Sequence, residues 1–347
     1  MALILGPQPL PQVVLSRDIG INAVREAAAA GLVRVSHGAF VVPLTEANGW
    51  ARDEHLARAR VVAAAHRLTA DAVFSHESAA LVHGLWVLRV PDEVHVIQRR
   101  TPRRQTPGLR RHTAKLGPED VVEVHGLRVT SVERTIADCA KYLHPREALV
   151  VADSGMRLVV EPDRDDRLVT TERTELVRER LAVEVERGAR RGRRQARAIV
   201  AVADPYAESP YETVIRWIAL SRGLPPPVLQ RRFDVRGRRY YTDLCWQLEV
   251  TVDGRTVRVL LICEYDGELK YLGDGVDAAR VVLAEKQRED DLRTLPDSVV
   301  ARFDRQDAYQ VEDTFRRICA ALPSTYVAGL RPVPELAGLA APRRRTA

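Results

Sequence analysis

Lysine is nearly missing from this chain: of 53 basic residues only Lys115, Lys141, Lys270 and Lys286 carry an ammonium, and the rest are arginine. Cysteine is sparse as well. Cys139, Cys245, Cys263 and Cys319 show no CxxC spacing and sit in apolar surroundings, which argues against a disulfide or zinc framework and for reduced core residues. All nine histidines lie at or before His144, so the C-terminal half has no imidazole to serve as base or metal ligand. Chemistry there would have to use carboxylates and lysine. No apolar run approaches the roughly 20 residues of a membrane span, and Met1 to Leu10 has no basic leader before its apolar residues. A cytoplasmic address, with no membrane partner, is the expectation.

What is present is an ordinary globular composition, 46% hydrophobic and 29% charged, over 347 residues. That length suggests two or three domains, each able to bury its own core. The formal charge is +6, and its placement matters more than its size. One arginine cluster comprises Arg99, Arg100, Arg103, Arg104, Arg110 and Arg111. A second comprises Arg187, Arg190, Arg191, Arg193, Arg194 and Arg197. Such clusters neutralise phosphates and make binding salt-dependent, although a solvated arginine-rich surface would look the same.

Along the chain, a short helix is expected from the N-cap Asn22 through Ala30, closed by Gly31. Alternation from Val33 to Val42 about His37-Gly38 reads as a hairpin. Helix and hairpin together outline a winged helix, with Arg25 on the reading helix; Pro7, Pro9 and Pro11 discourage a helix before it. Amphipathic helices follow at Trp50 to Leu68 and from Ser75 to about Gly84, where His76 and His83 form an i, i+7 pair that reads as packing. Glu93 to Gln98 reads as a strand, and Val121 to Val129 as a hairpin turning at His125-Gly126. Thr130 with Glu133 suggests a capping box for a helix from Ser131 to Leu143, and Pro145 opens another helix to about Met156. Residues 161–167 look like a linker, two helices then meet at Gly188 to Gly192, and the tail from Arg331 reads as disordered.

The most informative pattern comes after Asp204-Pro205. Ser209-Pro210-Tyr211-Glu212 opens a helix, strands are expected at Val228 to Val235 and Tyr240 to Trp246, and a further pair turns at Asp253-Gly254. Its second arm, Val257 to Cys263, is continuously apolar, as a buried central strand should be. That arm delivers Glu264 and Asp266 at its carboxyl end. A helix from about Val276 to Leu295 carries Lys286, and Val299 to Phe303 is another core strand. Asp243 and Glu264 can meet as oxygen ligands of one Mg²⁺ or Mn²⁺, with Lys270 or Lys286 stabilising charge on a phosphodiester. Plainer roles exist for three residues: Glu212 caps its helix with Ser209, Lys286 pairs with Asp290, and Asp266-Gly267 is a turn.

These residues resemble a known family. Glu208 to Glu212, Tyr241-Thr242-Asp243-Leu244, Cys263-Glu264-Tyr265-Asp266-Gly267, Glu285 to Asp290 and Arg302-Phe303 are similar to the bacterial family related to very-short-patch-repair endonucleases. The resemblance implies a restriction-endonuclease-like, PD-(D/E)xK fold, with Asp243 and Glu264 as metal ligands and Glu212 and Asp266 as supporting carboxylates. Here the common ExK is Glu264-Tyr265-Asp266, and the histidine often found four residues later is Lys270. The N-terminal half, in Gly31 to Phe40, Ser75 to Leu85, Gly126 to Ser131 and Arg134-Thr135, resembles the AbiEi-like antitoxins of type IV toxin–antitoxin systems, whose winged helix binds operator DNA.

The expected fold is thus α/β and multidomain. It comprises a winged-helix-like domain over 1–45, an antitoxin-like α+β domain over 46–160 and an arginine-rich helical connector over 161–204. A restriction-endonuclease-like domain with a central mixed sheet follows over 205–325, then a disordered tail over 326–347. The expected function is DNA binding joined to Mg²⁺-dependent hydrolysis of DNA phosphodiesters. The alternative is a non-catalytic regulator or antitoxin that uses the nuclease fold for binding and has a cognate toxin as partner. Arg25, Arg99, Arg100, Arg103, Arg104, Arg190, Arg191, Arg193 and Arg194 are the expected DNA contacts.

Overall fold

The computed structural model of the chain describes residues 5–19, 26, 29, 31–44, 49–98, 106–252, 254–266 and 275–338. The protein is α/β and divides into two compact units. One consists of Ile4–Leu143 and Glu175–Arg197; the other consists of Met1–Leu3, His144–Thr174 and Ala198–Ala347. The boundary therefore falls inside helices rather than in the charged stretch 161–167. Arg25, Arg99, Arg100, Arg103, Arg104 and Lys270 lie outside the described residues, as does most of the expected helix from Asn22 to Ala30.

In the first unit, β1 (Val13–Leu15) pairs with β3 (Ala39–Val41), which also pairs with β2 (Val33–Ser36), giving a three-stranded antiparallel sheet. The β2–β3 hairpin is the one expected from alternation. Strand β1 was not expected, because the prolines before it carry no strand signal of their own. Helix α1 (Gly49–Ala65) buries Ala57, Ala59, Val61 and Ala63, small side chains that permit close approach to its neighbours. A five-stranded mixed sheet is built from β4 (Val73–Phe74), β5 (Val94–Ile97), β6 (Leu109–His112), β7 (Val121–Val124) and β8 (Leu127–Thr130), in the order β6-β5-β4-β8-β7. Helix α2 (His76–His83) follows β4 and ends on Gly84 in the left-handed region, φ 68°. Gly84 has a second constraint: a Cβ there would meet the Gly6 carbonyl oxygen at 1.9 Å.

Helix α3 (Val132–Tyr142) starts on Ser131, whose side chain accepts from the Arg134 backbone N–H, while the Thr130 hydroxyl lies 2.7 Å from that of Thr135. The cap is thus one residue later than the Thr130–Glu133 pattern suggested. Arg134 is buried and donates to Asp138 at 3.0 Å, with Asp120 at 3.5 Å.

The second unit opens with α4 (Pro145–Val160). Helices α5 (Arg167–Glu186) and α6 (Arg193–Val202) each contribute residues to both units. Helix α7 (Pro210–Ser221) packs on α4 through a fully buried ion pair. The Arg216 guanidinium donates to both Asp153 oxygens at 2.7 and 2.6 Å, and Asp153 also accepts from the Thr213 hydroxyl and the Asp204 amide. Four hydrogen bonds from three donors make the burial of that carboxylate tolerable.

A four-stranded mixed sheet follows, in the order β12-β11-β10-β9, from β9 (Val228–Val235), β10 (Arg238–Val252), β11 (Arg255–Tyr265) and β12 (Ser298–Phe303). The strand expected to stop at Trp246 instead runs on to Val252, one element where two were expected. Strand β11 is interior, antiparallel to β10 and parallel to β12, in keeping with its apolar run. Helix α8 (Gly275–Leu292) covers a cluster of Cys245, Ile262 and Leu292.

Helices α9 (Val311–Ile318), α10 (Ser324–Gly329) and α11 (Pro334–Ala337) complete the chain. The tail is ordered as far as 338, contrary to expectation, because Leu336 is buried and its carbonyl accepts the Trp217 indole N–H at 2.8 Å. All four cysteines are free and buried. No helix of the described residues is long and apolar enough to cross a membrane.

Candidate metal and phosphate site

Asp243 on β10 and Glu264 at the end of β11 are brought together by strand register. Leu244 pairs with Cys263, so the next step of the antiparallel ladder sets Asp243 across from Glu264. Side chains alternate along a strand; Glu264 therefore shares a face with Ile262, and Asp243 with Cys245, the face that α8 covers. Asp243 is half-buried and accepts from the Tyr265 backbone N–H at 2.8 Å and from the Gln230 amide at 3.4 Å. Gln230 is buried with φ 47°, and the β9–β10 pairing skips Asp243 at this point. The irregularity in the edge strand turns the Gln230 side chain toward the carboxylate, a common use of a local ladder break.

Glu264 is buried, and its two oxygens differ. Oε2 accepts from the Arg288 guanidinium of α8 at 2.5 Å, whereas Oε1 is buried with no hydrogen-bond partner. Burial, and then the neighbouring Asp243 charge, push the Glu264 carboxyl up to about 8, with Arg288 and Arg302 opposing. Glu212, at the start of α7, is likewise held well above the usual carboxylate range by burial and by Asp243. The site thus contains more acidic groups than its surroundings can keep ionised, a state that an added cation would relieve.

The other expected participants divide. Glu212 accepts from the Glu208 amide at 2.9 Å while its own amide donates to Ser209 at 3.2 Å, so it closes the helix start as the capping pattern implied. Asp266 is paired with Arg302 at 2.8 Å, and Arg302 also reaches Glu285 at 3.2 Å and Glu289 at 3.0 Å. Asp266 is therefore committed to an arginine and does not support the Asp243–Glu264 pair. Lys286 is exposed and makes no hydrogen bond or ion pair with a described residue, Asp290 included. Arg288, two residues on, occupies the position by Glu264 for which a lysine was expected.

The sequence reading included Arg288 and Arg302 in the matching segments but gave neither a role, because arginine is everywhere in this chain. Their spacing from Leu292 and Phe303, both core residues, was the available signal. It also passed over the hairpin of β9 and β10, where Arg232, Arg236, Arg238 and Arg239 are exposed, Arg236 and Arg238 against Asp291 and Arg232 and Arg239 against Asp165 and Asp234.

In the first unit, the second arginine cluster is only partly available. Arg187 pairs with Asp120, Glu119 and Glu184. Arg193, expected to contact DNA, donates to the Gly188 and Ala189 carbonyls at 2.8 and 3.2 Å and thereby closes the α5–α6 turn. Arg190, Arg191 and Arg194 are exposed and unpaired among the described residues. A cleft of about 560 Å³ is lined by Arg34, His37, Arg60, Arg67 and Arg111, a further basic surface.

Comparison of the chain with protein-family models, with characterised proteins and with solved structures returns no match.

Proposed function

We propose that the protein binds DNA and that its second unit is a restriction-endonuclease-like domain that hydrolyses phosphodiester bonds with a divalent cation. The observation that carries this reading is Glu264 Oε1, buried and without a hydrogen-bond partner at the carboxyl end of an interior strand, on the ladder that brings Asp243 alongside. Asp243 and Glu264 would hold Mg²⁺ or Mn²⁺, hard cations suited to oxygen donors. Such a cation lowers the pKa of bound water and polarises the phosphate. The chain's own part is to fix the Asp243 carboxylate through the Tyr265 amide and Gln230. Arg288 supplies a guanidinium that can turn from Glu264 toward a phosphate oxygen. The arginines of the β9–β10 hairpin supply the sequence-independent attraction for a polyanion.

One further observation favours the regulator reading. Glu264 and Asp266 already have cationic partners in Arg288 and Arg302, so the acidic site is partly neutralised from within. Among the described residues, moreover, Glu212, Asp243 and Glu264 do not form a set of three ligand atoms within 4.8 Å. In that case the AbiEi-like resemblance of the first unit would describe the whole protein, a DNA-binding antitoxin-type repressor.

Incubation of supercoiled plasmid with the full chain separates the two. Nicking that requires Mg²⁺ or Mn²⁺ and is lost in Asp243→Asn and Glu264→Gln is the expected result. Binding to DNA without nicking by the wild-type chain in either ion would leave the regulator.

A further inference from the structure

Three histidines far apart in sequence meet in the first unit. His76 opens α2, His95 is on β5 and His112 ends β6, and one ring nitrogen from each lies within 4.8 Å of the others. No other group of three or more histidine, cysteine or acidic ligand atoms among the described residues does so. The parallel pairing of β5 with β6, Ile97 with His112, sets two of the three on one end of the sheet. The third comes from the first residue of the helix that leaves the adjacent strand β4.

We propose that His76, His95 and His112 form a three-histidine site for a transition-metal ion of the Zn²⁺ class, with a position left open for a further ligand. Four features of the geometry support it. His112 Nε2 and His95 Nδ1 face one another at 3.1 Å, close to the ~3.3 Å edge of a tetrahedron with metal–nitrogen bonds of about 2.0–2.1 Å. Behind His95, Glu77 Oε2 lies 3.7 Å from Nε2. A carboxylate on that side favours the proton on Nε2, and a small closing movement would make it the hydrogen-bonded carboxylate often found behind a metal-bound imidazole. His76 Nδ1 is 3.0 Å from the Ser75 hydroxyl, which leaves its Nε2 as the inward atom. Finally, His76 holds φ 51°, a left-handed backbone that is unfavourable in a residue other than glycine and tends to occur where function over-determines the geometry.

Two of the three nearby cations are paired with carboxylates, and the third, Lys141, is turned to the Glu184 and Arg187 backbone carbonyls. Arg110 pairs with Glu93 at 2.9 Å, and Arg134 pairs with Asp138 and Asp120. The Tyr142 ring stands edge-on to all three imidazoles, with centroids 5.2 to 5.5 Å away, and walls one side. His76 and His95 are buried and His112 is half-buried, so access is from the His112 side. Three neutral nitrogen donors with an open fourth position match the ligand count of catalytic rather than closed structural zinc sites. This site is separate from the carboxylate pair and does not rest on the nuclease reading.

The test uses the untagged full chain, stripped with EDTA and titrated with Co²⁺ and then Zn²⁺. One Co²⁺ per chain with the d–d absorption of a tetrahedral nitrogen site, displaced by Zn²⁺, is expected. His95→Ala and His112→Ala should lose it, the exposed His125→Ala should keep it, and Glu77→Gln should weaken it by about 10- to 100-fold. As a check that does not depend on variant folding, Zn²⁺ should protect the half-buried His112 of the wild-type chain from acylation by diethyl pyrocarbonate, while the exposed His125 reacts equally with and without the ion. A wild-type chain that retains no Co²⁺, binding equal in His112→Ala, or acylation of His112 unaffected by Zn²⁺ would overturn the proposal.

Discussion

At the scale of single residues, the chain holds two acidic side chains in environments that ordinary surface carboxylates never meet. Glu264 titrates at about 8 in the folded chain because of burial and Asp243, against 4.5 for a free glutamate. Between those values the folded state keeps a proton that the unfolded state has released. The contribution of this group to stability therefore falls as pH rises through that window. The buried His76, His95 and His112, held below the usual imidazole range, act in the opposite sense. In EDTA, the thermal unfolding midpoint of the wild type minus that of Glu264→Gln, which has no charge to develop, should fall from pH 5 to pH 8; a constant difference would contradict the assignment. Asp153 is the opposite case, a buried carboxylate whose partner stands fully aligned. Removing it in Asp153→Ala strands the Arg216 guanidinium, and urea unfolding should show a loss of about 3–5 kcal/mol. A loss below about 1 kcal/mol would mean that water reaches Arg216.

Among elements, those with a local signature were legible in the sequence. The β2–β3 and β7–β8 hairpins announce their turns at His37-Gly38 and His125-Gly126, and β11 announces its interior place by its apolar run. Ser209 and Pro210 mark the start of α7 in the same way. What was not legible depends on contacts distant in sequence. Strand β10 continues past Trp246 because β11 pairs with it up to Val252, a partner that no window on β10 contains. The pair Asp243 and Glu264 was found, since Glu264 ends an apolar strand and Asp243 lies on a neighbouring one, but the cation beside them was sought among lysines and is Arg288. His95 and His112 carried no motif at all; only the parallel β5–β6 pairing puts them near His76. The tail from Arg331 reads as disordered, yet Leu336 and the Trp217 indole hold it on α7. Truncation after Leu330 should therefore lower the unfolding midpoint of the chain and shift tryptophan fluorescence to longer wavelength. An unchanged spectrum would show that the Leu336 contact is dispensable.

Over the whole molecule, arginine serves two purposes that composition alone does not separate. Arg134, Arg187, Arg193, Arg216, Arg288 and Arg302 are engaged by carboxylates or carbonyls, whereas Arg190, Arg191 and Arg194 are left to solvent. If those three meet phosphates, replacing them with glutamine should reduce the slope of log K against log salt by up to about 3, at roughly 0.9 per contact; an unchanged slope would take that cluster out of the interface. The central claim, that Asp243 and Glu264 hold a divalent cation, has a direct calorimetric signature. Burial and the Asp243 charge push the Glu264 carboxyl up to about 8, so seating Mg²⁺ near pH 7 should release a proton. Titrating the full chain with Mg²⁺ in buffers of different ionisation enthalpy should give one ion per chain with release approaching one proton, and neither in Glu264→Gln. Mg²⁺ binding that releases no proton, or that persists in the variant with the same affinity, would contradict it.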